Sequence, residues 1–154
     1  MTTEQLNIVV PAITTIAGAT IGAAISYLVG RQQFQANVVS ANRQTWINTL
    51  RDTVSEYQSS VSGMTVFLSM GKINSDEFRE RLVRLIFLDS KIKLLANPNE
   101  ANHQNLVEIV SSLRSISEEA KDEELKRMLS LQDELTVITQ KILKNEWERV
   151  KKGQ

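Results

Sequence analysis

From Asn7 to Val29 the chain carries no charged side chain, and every basic residue lies beyond Gly30. A run of this length constrains the fold more than any other feature here. From Pro11 to Gly30 is 20 residues, which at ~1.5 Å per residue spans roughly 30 Å, the thickness of a bilayer core. The spacing therefore predicts a transmembrane helix over 8–30, with Pro11 near its first turn, where a missing N–H does little harm. A cleaved signal peptide would want a positive n-region and a shorter apolar core, and Glu4 is the only charge ahead of the run, so the segment is expected to be kept. Arg31, Arg43 and Arg51 follow the run and no Lys or Arg precedes it, which predicts that the C-terminal side faces the cytoplasm.

The drive for a single copy to insert is modest. Nine Ile, Leu and Val residues lie between 8 and 29, and at about 0.3 to 0.6 kcal/mol each they supply roughly 3 to 5 kcal/mol. Pro11, Thr14, Thr15, Thr20, Ser26 and the glycines subtract from that sum. Thr14, Gly18, Gly22, Ser26 and Gly30 recur every four residues and form one smooth stripe, with Ala19 and Ala23 widening it. Such stripes let helix backbones approach closely, so the segment is expected to pack against copies of itself.

Residues 31–154 hold all 18 basic and 17 of the 18 acidic side chains. With six Gly, two Pro and abundant Leu and Ile, this part reads as helical. Val39, Trp46, Leu50, Thr53, Tyr57, Val61, Met64 and Leu68 recur at alternating threes and fours, so a first helix is expected to run on from the apolar segment to about 69. Asn74, with Glu77 three positions on, predicts a cap for a second helix over 75–96. Asn97 and Pro98 predict a third over 98–118. The acidic cluster 118–124 predicts a fourth over 122–152, whose seam Met128, Leu135, Ile138 and Ile142 extends to Trp147 and Val150. The expected architecture is all-α, a transmembrane helix continuing into an antiparallel helical bundle. The second helix is apolar on two sides, Phe78, Leu82, Leu85, Ile86 and Ile92 on one and Val83, Phe87 and Leu94 on the other. Such a helix is either central or bridges two chains, which makes Val83, Phe87 and Leu94 candidate oligomer contacts.

Little in the sequence carries chemistry. The absence of Cys removes disulfide scaffolds, thiol catalysis and zinc ribbons. The lone His103 lacks metal-ligand partners and is expected at the surface, so neither metal nor cofactor is expected. Ser59-Ser60 and Ser111-Ser112 have no nucleophile elbow, no phosphate-cradling glycine loop exists, and paired carboxylates such as Asp133-Glu134 read as solvated faces. The enzyme class is rejected on these grounds. The formal net charge is zero, which argues against a nucleic-acid binder unless the charge is uneven. It is uneven. Residues 31–95 count 9 basic and 6 acidic side chains, and residues 96–154 count 9 and 11, so an anionic ligand would favour the first half. Candidates there are Arg43, Gln44, Asn48 and Arg51 on the first helix and Arg81, Arg84 and Lys91 on the second. Against this, Glu77–Arg81 and Glu80–Arg84 have the spacing of local ion pairs, Trp46 reads as a core anchor, and Arg51 is expected to pair with Asp52 or a neighbouring helix.

The block Arg43-Gln44-x-Trp46-Ile47-x-x-Leu50-Arg51, following an N-terminal apolar helix, resembles a group of small bacterial and phage membrane proteins with a helical cytoplasmic domain. In size and layout the chain is similar to the membrane effectors of the Hailong anti-phage defence system. That resemblance implies a homotetramer in the bacterial inner membrane whose N-terminal segments form a channel and arrest growth. It also implies a partner nucleotidyltransferase, whose single-stranded DNA oligomers hold the effector inactive. No ligand motif carries over residue by residue. Single-strand binding wants exposed aromatic platforms, and most aromatics here read as core. Two other readings stay open, a membrane-tethered scaffold or adaptor without channel activity, and a lysis accessory.

Overall fold

A computed structural model describes the backbone of residues 3–119 and 124–152, with side chains from residue 18 onward. Every element among the described residues is helical: α1 Thr3–Ser69, α2 Asp76–Leu95, α3 Ala101–Glu119 and α4 Leu125–Lys151. The chain divides into two compact units, one reaching to Ala41 and the other running from Asn42 to Lys152.

In the second unit, a seam from α1 enters the core at alternating threes and fours: Ile47, Leu50, Val54, Tyr57, Val61, Met64 and Leu68 are all buried. Leu85, Leu88 and Ile92 of α2, Leu106, Val110 and Leu113 of α3, and Met128, Leu135 and Ile142 of α4 close around it. Cross-helix bonds fix the directions. Going up α1, Arg43 meets Glu146, Gln58 meets Thr136 and Ser62 meets Gln132, so α4 runs antiparallel to it. Trp46 meets Leu95 and Phe67 meets Phe78, so α2 does too. This is the expected antiparallel bundle.

Helix ends follow local chemistry. α1 stops where Gly71 takes φ +66°, with Lys72 N–H bonded to Phe67 O at 2.9 Å and Gly71 N–H to Leu68 O at 3.0 Å, a Schellman closure that a residue with a Cβ fits poorly. The cap of α2 is Ser75, not Asn74: its hydroxyl accepts Phe78 N–H at 3.1 Å, with Asp76 and Glu77 in the first turn. α3 begins three residues later than expected. Asn97 spends its Oδ1 on Asn99 N–H in a tight turn, and Glu100 O accepts the N–H of His103 and Gln104 instead. The expected start of α4 at 122 lies outside the described residues.

Several seam positions differ from expectation. Val39 is exposed, as is Trp147; the position after Ile142 on the seam belongs to Glu146, which is buried. On α2, Val83, Phe87 and Leu94 are 67%, 52% and 87% exposed, so α2 is not a central helix. Its second apolar face is open in the single chain.

No helix among the described residues is long and apolar enough to cross a membrane. Residues 8–17 of the expected span over 8–30 lie outside the residues whose side chains are described. What α1 does present over 21–39 is a row of exposed apolar side chains, Ile21, Ile25, Tyr27, Leu28, Val29, Phe34, Val38 and Val39. Thr14 of the small-residue stripe lies outside the residues whose side chains are described. A Cβ built on Gly18, Gly22 or Gly30 meets nothing within 4 Å, so nothing among the described residues uses the stripe's smoothness there.

Candidate functional site

The Arg43–Arg51 block lies at the end of the bundle where α1 meets the α2–α3 connection and the C-terminal part of α4. Trp46 stacks on His103 with ring centroids 5.7 Å apart and planes 19° from parallel, and its indole N–H donates to Leu95 O at 3.0 Å. His103 is 3% exposed, which corrects the expectation of a surface histidine. Burial comes with one hydrogen bond and one ring contact: Asn97 N–H donates to its Nδ1 at 2.9 Å, and Trp46 covers the ring face. Beside this stack lies a carboxylate–guanidinium network. Arg43 donates to Glu146 at 2.8 Å, while Arg149 bridges Glu146 at 2.5 Å and Glu100 at 3.0 Å. The hydrogen bond from Arg149 holds the Glu100 carboxyl below its ordinary range, and the same bond raises Arg149. Together these groups line a cleft of about 350 Å³.

Glu100, His103 and Glu146 also bring three ligand-type atoms within 4.8 Å of one another. The arrangement suits a metal poorly. His103 Nδ1 already accepts a backbone N–H, which leaves the proton on Nε2, the nitrogen 3.7 Å from Glu100. Two arginines occupy Glu146, so a cation would have to displace both.

The anion-site candidates are not gathered in one place. Arg43 is taken by Glu146, and Trp46 by His103 and Leu95, so neither is a free phosphate contact or base platform. Gln44 and Arg51 both donate to Asn48 Oδ1, at 3.3 and 3.1 Å; Arg51 pairs with neither Asp52 nor another helix. On α2 the local pairs with Glu77 and Glu80 do not form. Arg84 reaches across to Glu56 on α1, and Arg81 lies over the Phe67 ring at 5.6 Å. Gly63 makes room for it, since a Cβ there would sit 2.6 Å from Arg81 Nη1. The groove at Ser60, Glu77, Glu80, Arg81 and Arg84 holds as many carboxylates as guanidinium groups. Lys91 and Arg51 remain without an ion pair among the described residues.

A second buried polar cluster was not signalled by the sequence reading. Asp89 of α2 is 2% exposed, with Lys93 Nζ at 2.8 Å and Arg114 Nε of α3 at 3.9 Å. Nearby, the Tyr57 hydroxyl donates to Val110 O at 2.7 Å; burial, with the Asp89 charge behind it, pushes the phenol far above its ordinary range. These groups clamp α1, α2 and α3 together. The retrievable signal was position: Asp89 falls four residues after Leu85, and Glu146 four after Ile142, both on the buried sides of their helices.

No family model, curated protein or solved structure matches this chain.

Proposed function

We propose that this chain is a membrane effector of bacterial anti-phage defence. On this reading several copies, four by the Hailong resemblance, combine their N-terminal segments in the inner membrane and arrest growth by letting ions through. The bundle stays in the cytoplasm. One observation carries the reading: α1 holds Ile21, Ile25 and Leu28 in a helical segment where they are 61%, 57% and 62% exposed. Apolar surface of that extent is stable only when something covers it, and lipid together with other copies is the covering that suits a helix too weakly apolar to insert alone.

A single-stranded DNA oligomer, made by a partner nucleotidyltransferase, belongs to the same reading as the restraining ligand. Its phosphates would meet Arg51 and Lys91 rather than Arg43. The test is growth after induction of the full chain. Arrest that disappears in the Gly18→Leu/Gly22→Leu double variant supports self-packing of α1, and arrest that persists in it sinks that account.

A membrane-tethered or free adaptor is the second reading. The open Val83, Phe87 and Leu94 face favours it. An adaptor leaves growth unchanged when expressed alone.

A further inference from the structure

One end of the second unit is basic and apolar at once. Arg43, Trp46, Ala96, Asn97, Glu146 and Arg149 line a single cleft, so the start of the unit, the α2–α3 connection and the last turns of α4 meet there. Residues 42–46, 91–104 and 144–152 build that end and carry 7 basic and 3 acidic side chains, against 11 and 15 in the rest of the chain. Its two arginines are spent internally, Arg43 on Glu146 and Arg149 on Glu146 and Glu100. The other cations are lysines. Lys91, Lys144 and Lys152 have no ion pair among the described residues, while Lys93 meets Asp89 and Lys151 meets Glu148.

The same end holds two apolar side chains that the bundle does not bury, Leu94 at 87% and Trp147 at 45% exposed. Trp147 stands three residues after Lys144 and four before Lys151, so at about 100° per residue the three share the outer face of α4. Lys151 Nζ lies 5.6 Å over the indole ring. Glu148 is the one carboxylate beside them, and Lys151 neutralises it at 3.0 Å.

An exposed Trp among lysines fits a lipid–water boundary better than a protein groove or a nucleic-acid strand. An indole is apolar in its ring and polar at its N–H, which suits headgroup depth. Lysine stems lie along apolar surface while their ammonium groups reach anionic headgroups. Protein interfaces are depleted in lysine and favour arginine, and here the arginines are already engaged. A nucleic-acid base would stack on the ring face, one side of which Lys151 covers. Residues 31–41 alone separate this end from the uncharged stretch before Arg31, a tether of at most about 40 Å.

We infer that the end of the bundle carrying Lys144, Trp147, Lys151 and Lys152 seats on an anionic lipid surface, with the indole at headgroup depth and the ammonium groups on lipid phosphate. This seat is separate from the α1 contact proposed above and rests on that reading only for the bilayer being within reach.

The chain has two tryptophans, so in full-length Trp46→Phe the emission comes from Trp147 alone. The protein is mixed with vesicles of phosphatidylcholine, or of equal parts phosphatidylcholine and phosphatidylglycerol, with and without acyl-brominated phosphatidylcholine, and its sedimentation with them is measured alongside. In the anionic vesicles Trp147 emission is expected to move to shorter wavelength and to be quenched by the bromine, and in the neutral ones to do neither. Lys144→Gln/Lys151→Gln/Lys152→Gln is expected to weaken the seat on the order of a hundredfold and abolish the quenching. If Trp46→Phe does not fold, the same signal is the difference between the unaltered chain and Trp147→Phe. A chain that sediments with the vesicles while Trp147 stays unquenched would overturn the seat and leave the effector reading. Quenching by a chain that does not depolarise bacteria would refute the effector reading and leave the seat. Sedimentation with neither vesicle would overturn both, and equal quenching in the two would overturn the role of the lysines. Emission that answers a single-stranded oligodeoxynucleotide and not the vesicles would assign the patch to nucleic acid instead.

Discussion

Trp46 and His103 stack at 5.7 Å across the end of the bundle; Trp46 donates to Leu95 O at the end of α2, and His103 accepts from Asn97 N–H in the connection that follows. The pair thus pins α1 to that connection. Trp46→Phe keeps an aromatic face but removes the N–H to Leu95 O, and is expected to lower unfolding free energy by about 1 kcal/mol. His103→Phe removes the acceptor of Asn97 N–H and is expected to cost about 1 to 3 kcal/mol. Urea unfolding followed by Trp fluorescence and circular dichroism measures both. If either change is neutral, the rings do not hold the connection.

Glu146 sits between two guanidinium groups, so its removal and theirs are not independent. A double-mutant cycle over Arg43→Met and Glu146→Gln is expected to return a coupling of about 1 kcal/mol or more. Additive effects would mean that the pair is solvated in solution, as exposed pairs are.

The hydrogen bond from Arg149 lowers the Glu100 carboxyl from its ordinary 4.5. A group with a lowered folded pKa adds stability that is fully present above its unfolded value and is lost as pH falls through the folded one. Stability is therefore expected to fall below about pH 4.5, and Arg149→Met is expected to flatten that part of the curve. Denaturant midpoints taken from neutral pH downward decide it. An unchanged slope in the variant assigns the acid sensitivity to other carboxylates.

The open face of α2 separates packing from assembly. Phe87→Ser and Leu94→Ser are expected to shift unfolding free energy by no more than about 0.5 kcal/mol, whereas Leu113→Ala in the core is expected to cost about 2 to 5 kcal/mol. A large loss at Leu94, the most exposed of the three, would place that face inside the folded chain.

The bundle was legible in the sequence because its signals are local and redundant. The three-four spacing from Leu50 to Leu68 holds over several turns, and the breakers near Gly71 and Pro98 interrupt it where the helices end. The buried polar groups were not legible, since burial of a charge depends on a partner distant in sequence. Glu146 meets Arg43 across 103 residues, and nothing near either residue announces the other. His103 misled for the same reason: it follows a turn, which reads as surface, and is buried only because Trp46 arrives from another helix. Arg81 and Arg84 had acidic neighbours at the right spacing, yet Phe67 and Glu56 on α1 offered better-placed partners. Trp147 kept the apolar character of a seam residue, but the helix turned Glu146 inward instead.

The central claim is that α1 acts on a membrane through the uncharged stretch that precedes Arg31. The most direct measurement is membrane potential, read with a voltage-sensitive dye in bacteria expressing the full chain or a chain lacking residues 8–30. Rapid depolarisation by the full chain, with none from the truncated one, is the expected result. Unchanged potential in both, at equal expression, would contradict the effector reading and leave the adaptor in its place.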